Sequence, residues 1–275
     1  MKGIRMGNSD LKDKVVVITG GAGTLGGALA LHFAKQGAVL VILNRDQQKI
    51  DQKVASLHEY SPKSIGRVCD VLSQSALEEA NQYILDKLGR IDVLINAAGG
   101  NIPGATQLPE QNVFDLDIPA IDGAIDLNLR GTLYPSLIFG KSIAKNGSGS
   151  IINISSMATY SSITRVMGYS IAKTGVNSFT QWMACELAQK YGDKVRVNAI
   201  APGFFIGEQN KDLLLNPDGS LTPRSEKVIN KTPMGRFGKI EELNGAVEFL
   251  CSNAASFITG VVLPIDGGFS AFSGV

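Results

Sequence analysis

Cysteine and histidine are scarce in this chain of 275 residues, and so is any excess of charge. The three cysteines, Cys69, Cys185 and Cys251, are odd in number, far apart and without metal-ligand spacing. That disfavours a disulfide scaffold and a zinc site, and buried thiols in a reducing compartment are expected instead. His32 and His58 fall in helical-looking segments with no partner motif and read as structural or surface residues. Basic residues number 26 against 25 acidic, a net charge of +1, with no long basic run. Nothing here points to nucleic acid or to a membrane surface held by bulk electrostatics. No apolar run approaches the length of a membrane span. Met1 to Lys14 mixes charged and small residues around no apolar core, unlike a signal peptide, so a cytoplasmic location is expected.

Hydrophobic residues make up 44% of the chain and charged residues 19%, which suits a compact domain with a sizeable core. Strand candidates alternate with helical ones. Val15 to Ile18 reads as a strand, then a glycine cluster, then a helix from Leu25 to Gln36 stopped by Gly37. Further strands are expected at 39–43, 64–69, 91–95, 150–154, 195–200 and 261–263. Helices are expected at 47–59, from a capping box at Ser75 and Glu78 to about Gly89, up to about Lys145, at 168–191 and at 241–250. The stretch 96–119 reads as loop. Residues 201–238, punctuated by Pro202, Pro217, Pro223 and Pro233, are the least regular. This order predicts an α/β fold: one doubly wound domain over 1–275 with a seven-stranded parallel sheet covered on both faces. The segment at about 204–232 is expected to close over a substrate.

Two stretches carry chemistry. The first is Ser150 to Lys173, in which an apolar strand stops at Ser155 and Ser156, and Tyr169 and Lys173 follow four apart on one helix face. A free phenol, with a pKa of about 10, is a poor base near neutrality. A nearby ammonium favours phenolate, so Lys173 is expected to lower the pKa of Tyr169. Such a pair also arises by chance, and only the rest of the chain decides. The second stretch is Thr19 to Gly26. Five of the eight positions from Gly20 to Gly27 are glycine, between the first strand and the first helix. There, glycine lets backbone N–H groups approach a pyrophosphate at a helix N-terminus. Asp70, Asn96-Ala97-Ala98-Gly99 and Ser156 end the third, fourth and fifth strands and open onto the same edge. After the second strand comes Asn44-Arg45-Asp46. No acid stands at Asn44 to grip a ribose, and Arg45 suits a 2′-phosphate or solvent, so NAD and NADP both remain open.

With these residues the chain resembles the short-chain dehydrogenase/reductase family over essentially its whole length. The resemblance implies a Rossmann-type fold and a catalytic tetrad of Asn128, Ser156, Tyr169 and Lys173, with 13 positions from serine to tyrosine. It implies that Tyr169 exchanges a proton with the substrate oxygen, that Ser156 polarises that oxygen and that Lys173 holds the nicotinamide ribose. Asn128 would position a proton-relaying water. Cofactor contacts are implied for Gly20, Gly23, Thr24, Leu25, Gly26, Asn44, Arg45, Asp70, Val71, Asn96, Ala97, Ala98, Gly99, Pro202, Gly203 and Phe205, with Tyr169 and Lys173. Two positions depart from the family pattern. Thr24 stands where glycine is common, and Gly207 where a threonine often follows Pro-Gly. A homotetramer through the helices near 120–145 and 168–191 is also implied.

Within the family, Ala201 to Asn210 and the ending Phe269-Ser-Ala-Phe-Ser-Gly-Val275 resemble the D-mannonate oxidoreductase (fructuronate reductase) branch. That implies a sugar-acid substrate, D-mannonate interconverting with D-fructuronate. Arg165 is the candidate partner for its carboxylate, and Asn101, Gln209, Asn210 and Lys211 are candidates for its polar groups. Gluconate 5-dehydrogenase or another sugar or polyol dehydrogenase is the alternative. A non-catalytic dinucleotide-sensing regulator would have no need of the full tetrad.

Overall fold

The computed structural model describes residues 10–207 and 211–274. Seven parallel strands form one sheet in the order β3-β2-β1-β4-β5-β6-β7, as expected. They are β1 (Val15–Thr19), β2 (Val39–Asn44), β3 (Ile65–Val68), β4 (Val93–Asn96), β5 (Gly149–Ile154), β6 (Val195–Pro202) and β7 (Val262–Ile265). The helices are α1 (Thr24–Lys35), α2 (Gln47–Leu57), α3 (Gln74–Leu88), α4 (Ile118–Ile125), α5 (Gly131–Lys145), α6 (Met167–Tyr191), α7 (Lys211–Leu214), α8 (Pro223–Lys231) and α9 (Asn244–Cys251).

Every residue of β1 is buried, and successive ones serve opposite faces. Val16 and Ile18 join a core with Leu29, Phe33 and Val247, from α1 and α9. Val15 and Val17 join another with Leu77, Phe139 and Met183, from α3, α5 and α6. A strand with helices on both faces must be apolar throughout, which is why these runs show no alternation.

Three expectations are corrected. The cap of α3 is Ser73, whose Oγ accepts from Ala76 N at 3.3 Å; Ser75 lies inside the helix. The helix expected up to Lys145 is interrupted by a π-helical turn, Asp126–Arg130, between α4 and α5. The proline-rich segment holds α7 and α8. Pro223 there starts a helix instead of breaking one, because at the first helical position its missing N–H costs nothing, and Thr222 caps the turn through Ser225 N.

A buried polar seam ties the middle of the sheet to its helices. Asn96 Nδ2 donates to Ser136 Oγ and to Asn153 Oδ1, both at 2.8 Å, and Asn153 Nδ2 donates to Thr180 Oγ1 at 2.9 Å. All four residues are at most 1% exposed. Removing one partner leaves the others unsatisfied in a dry interior. Asn153→Ala is expected to lower the unfolding free energy by about 2–3 kcal/mol, read by chemical denaturation against a surface control such as Ser148→Ala. A loss no larger than the control's would mean that the seam is not a stabilising element.

Candidate active site

Parallel strands bring all their carboxyl ends to one rim, and strand order reverses between β1 and β4. A cavity of about 1010 Å³ runs along this rim. Its wall includes Gly20, Gly23 to Gly26, Asn44, Arg45, Asp70, Val71, Ala97 to Asn101, Ser156, Arg165, Tyr169, Pro202, Gly203 and Phe205. The structure thus gathers nearly every residue singled out from the sequence. Asn96, Asn128 and Lys173 lie buried behind the wall. Lys211 is exposed and is not among the residues lining the cavity, while Gln209 and Asn210 lie outside the described residues.

At the dinucleotide end, backbones meet at close range. Gly20 adopts φ +64°, and a Cβ there would stand 2.9 Å from Ala98 Cα; a Cβ on Gly26 would stand 2.6 Å from the Gly20 carbonyl oxygen. Helix α1 begins at Gly23 with no side-chain cap, which leaves its first N–H groups to a ligand. This cradle fits a pyrophosphate. The two departures from the family pattern meet here, because a Cβ on Gly207 would lie 3.4 Å from Thr24 Cγ2. Lys49, in the first turn of α2, also lines this end. Sequence reading missed it; the available signal was a basic residue in the first turn of the helix that follows β2.

Asn128 sits in the π-helical turn, fully buried. Its Oδ1 accepts from Gly100 N at 3.0 Å, and its Nδ2 donates to Gly100 O at 2.8 Å and Ala124 O at 2.9 Å. The side chain ties the loop after β4, through Gly100, to α4, through Ala124. Its backbone carbonyl accepts from Thr132 Oγ1 at 3.0 Å.

Ser156 ends the β5 segment, its Oγ accepting from Ala158 N at 3.1 Å. Lys173 is 3% exposed and donates to the Ile154 carbonyl at 2.7 Å, with Nζ 5.6 Å from the centroid of the Tyr169 ring. Burial lowers the Lys173 ammonium to about 8. Burial also raises the Tyr169 phenol, against a smaller opposite pull from its hydrogen bond with Ser156. The expectation that Lys173 lowers Tyr169 is therefore not met in this arrangement. The ammonium is committed to the strand-end carbonyl, and desolvation of the phenol dominates.

Arg165 adopts φ +79°, a sparsely populated conformation for a side-chain-bearing residue. It is pinned there by two bonds with Gln107, Arg165 Nε to Gln107 O at 2.6 Å and Gln107 N to Arg165 O at 2.9 Å. Arg224, in the first turn of α8, lines the same cavity and was not foreseen. The Thr-Pro-Arg start of a helix was the available signal. The C-terminal segment folds back within the chain. Phe269 is buried with Met157 and Val228 and lies 5.4 Å from the ring of Phe204.

Comparison with known proteins agrees with this geometry. A family model described as enoyl-(acyl carrier protein) reductase matches residues 20–270. An uncharacterized oxidoreductase, UxuB, from Bacillus subtilis is 43% identical over 98% of this chain and 99% of its own. The 2-dehydro-3-deoxy-D-gluconate 5-dehydrogenase of Formosa agariphila is 34% identical, covering 96% of each chain. A solved structure from Haemophilus influenzae with bound NAD, named a "putative D-Mannonate oxidoreductase", superposes with a TM-score of 0.88. It is 39% identical, over 98% of this chain and 99% of its own. The glycine cradle, the parallel sheet and the Ser156–Tyr169–Lys173 corner are thus those of an oxidoreductase acting on alcohol groups, and the chain belongs to the short-chain dehydrogenase/reductase family.

Proposed function

We propose that the protein interconverts a sugar acid and its keto form with a nicotinamide dinucleotide, the pair being D-mannonate and D-fructuronate. The observation that carries this reading is the cavity itself. It joins the glycine cradle to Ser156 and Tyr169 and ends on a cationic wall at Arg165. The likeness to the Haemophilus protein supports the choice of mannonate. The likeness to the Formosa enzyme favours a related hexonate as the second reading.

In this reading Tyr169 passes a proton to or from the substrate oxygen, and Ser156 holds that oxygen by a hydrogen bond. The bound nicotinamide supplies or accepts the hydride. Lys173, with one N–H on the Ile154 carbonyl and Nζ close to Gly99, has further N–H groups for a ribose hydroxyl, and Asn128 positions the loop after β4 through Gly100. Arg45 and Lys49 are cations available to a 2′-phosphate, and with Asn44 uncharged the site admits NAD or NADP. Residues 204–207 and 211–232 cover the substrate. Leu137, Ile171 and Trp182, all more than half exposed on α5 and α6, are the contact face of a homotetramer.

Absorbance at 340 nm with D-mannonate, D-gluconate and neutral polyols, each against NAD and NADP, is expected to show fastest turnover with D-mannonate. Preference for gluconate would transfer the assignment to the second reading, and preference for a polyol would overturn the sugar-acid reading. Tyr169→Phe is expected to lower kcat/KM by about a hundredfold to ten-thousandfold while NAD binding persists. Unchanged turnover would remove Tyr169 from the chemistry.

Lys173 yields a pH prediction. Below about pH 8 the ammonium is charged in both folded and unfolded chains, and the fold bears the full cost of burying it. Between about 8 and the ordinary 10.5 only the unfolded chain keeps the proton, so the folded chain gains stability as pH rises. Lys173→Met is expected to be inactive yet more heat-stable than wild type at pH 7, with the difference shrinking towards pH 10. A difference constant across that range would contradict the buried-cation account.

A further inference from the structure

Arg165 and Arg224 reach the cavity from separate segments, one from the loop between β5 and α6 and the other from the first turn of α8. Arg165 uses Nε on the Gln107 carbonyl at 2.6 Å, and its two terminal nitrogens have no hydrogen-bond partner among the described residues. Arg224 makes only two long contacts, to Thr164 Oγ1 at 3.4 Å and to Thr164 O at 3.5 Å. Neither arginine is ion-paired with a carboxylate among the described residues. Asp46 and Asp70 line the cavity too, but they follow β2 and β3, on the other side of β1 from β5.

Two guanidinium groups therefore share one cavity with no described anion at their end of it. Arg224 is lowered from its ordinary value first by burial and then by the charge of Arg165. Like charges brought together in a partly desolvated site are unfavourable until an anion enters. A planar guanidinium matches a carboxylate fork to fork, and a carboxylate has lone pairs enough for two such partners. The carboxylate of a hexonate lies several carbons from the hydroxyl at its other end, so its subsite need not adjoin Tyr169 and Ser156.

Resting on the sugar-acid reading above, we propose that Arg165 and Arg224 together form the carboxylate subsite. Arg165 is the fixed half, pinned by Gln107. Arg224 is the half carried on α8, which is seated through Val228 on Met157 and Phe269. Met157 directly follows Ser156, so the helix that brings the second guanidinium rests on the segment that presents the reacting hydroxyl. Binding of an acidic substrate and closure of α8 over it are then one event.

The test is calorimetric titration of the NAD-loaded protein with D-mannonate, D-gluconate, 2-dehydro-3-deoxy-D-gluconate and D-mannitol, beside steady-state kinetics. At least one acid is expected to bind the wild type about tenfold or more tightly than mannitol. Arg165→Ala and Arg224→Ala should each weaken that acid about tenfold or more, raise its KM more than they lower kcat, and narrow its advantage over mannitol. Arg224→Lys, which keeps the charge but loses the fork, should fall between, and a separate NAD titration of each variant reports whether its fold is intact. An acid bound by Arg224→Ala and Arg224→Lys as tightly as by wild type would overturn the clamp and leave the sugar-acid reading standing. Gluconate preferred over mannonate with the same arginine dependence would support the clamp and overturn only the mannonate assignment. Mannitol bound as tightly as every acid would overturn both.

Discussion

One ammonium group, buried at the carboxyl end of β5, sets the terms for the site. Lys173 is 3% exposed, and the Ile154 carbonyl is its hydrogen-bond partner. A cation so placed is tolerable only where the geometry around it is fixed. Here α6 is brought close to its neighbours by glycine. Cβ atoms on Gly168 and Gly175 would stand 3.2 Å from Ile121 and 3.0 Å from Leu129. Those contacts lie in α4 and in the π-helical turn that carries Asn128, and Asn128 in turn holds Gly100. Cradle, loop and Tyr169 are thus registered through one close packing of helices around one desolvated charge.

The cavity joins two walls of different make. Its floor rests on the large cores that cover both faces of the sheet. Helix α8, which brings Arg224 to the cavity, rests on a small cluster of Met157, Val228 and Phe269. A small cluster has less buried apolar contact to lose on opening than the cores under the sheet. In the proposed reaction Tyr169, on the long helix α6, exchanges the proton, while Arg224, on α8, bears on the choice of substrate. That division lets a family keep its chemistry while changing what it acts on.

Most of the sheet and most of the site were legible in the sequence for one physical reason. Strands buried on both faces read as unbroken apolar runs, and in a parallel sheet the residues after each run share a rim. Asn44, Asp70, Asn96 and Ser156 could be placed together without coordinates. What escaped depended on tertiary context. Ser73 and Ser75 are equally good caps as residue types, and only the chain direction entering α3 selects Ser73. Pro223 reads as a breaker until its place at a helix start is known. The direction of the Tyr169 shift turned on how deeply the phenol is buried and on where the Lys173 ammonium points. Arg224 is 55 positions beyond Tyr169, and nothing local says that α8 folds back over the cavity.

The contact between Thr24 and Gly207 has a bearing on ancestry and on engineering. Each position, taken alone, departs from the family pattern, yet in space they are complementary halves of one volume. The side-chain bulk has crossed the cleft, from the loop after β6 to the loop after β1. A Cβ at position 207 would stand in van der Waals contact with the Thr24 methyl, so a side chain there would pack against Thr24. The two positions therefore face each other across the cleft, and a change at one alters the surroundings of the other. An engineer who grafts either loop from a relative is thereby choosing the partner surface of the other.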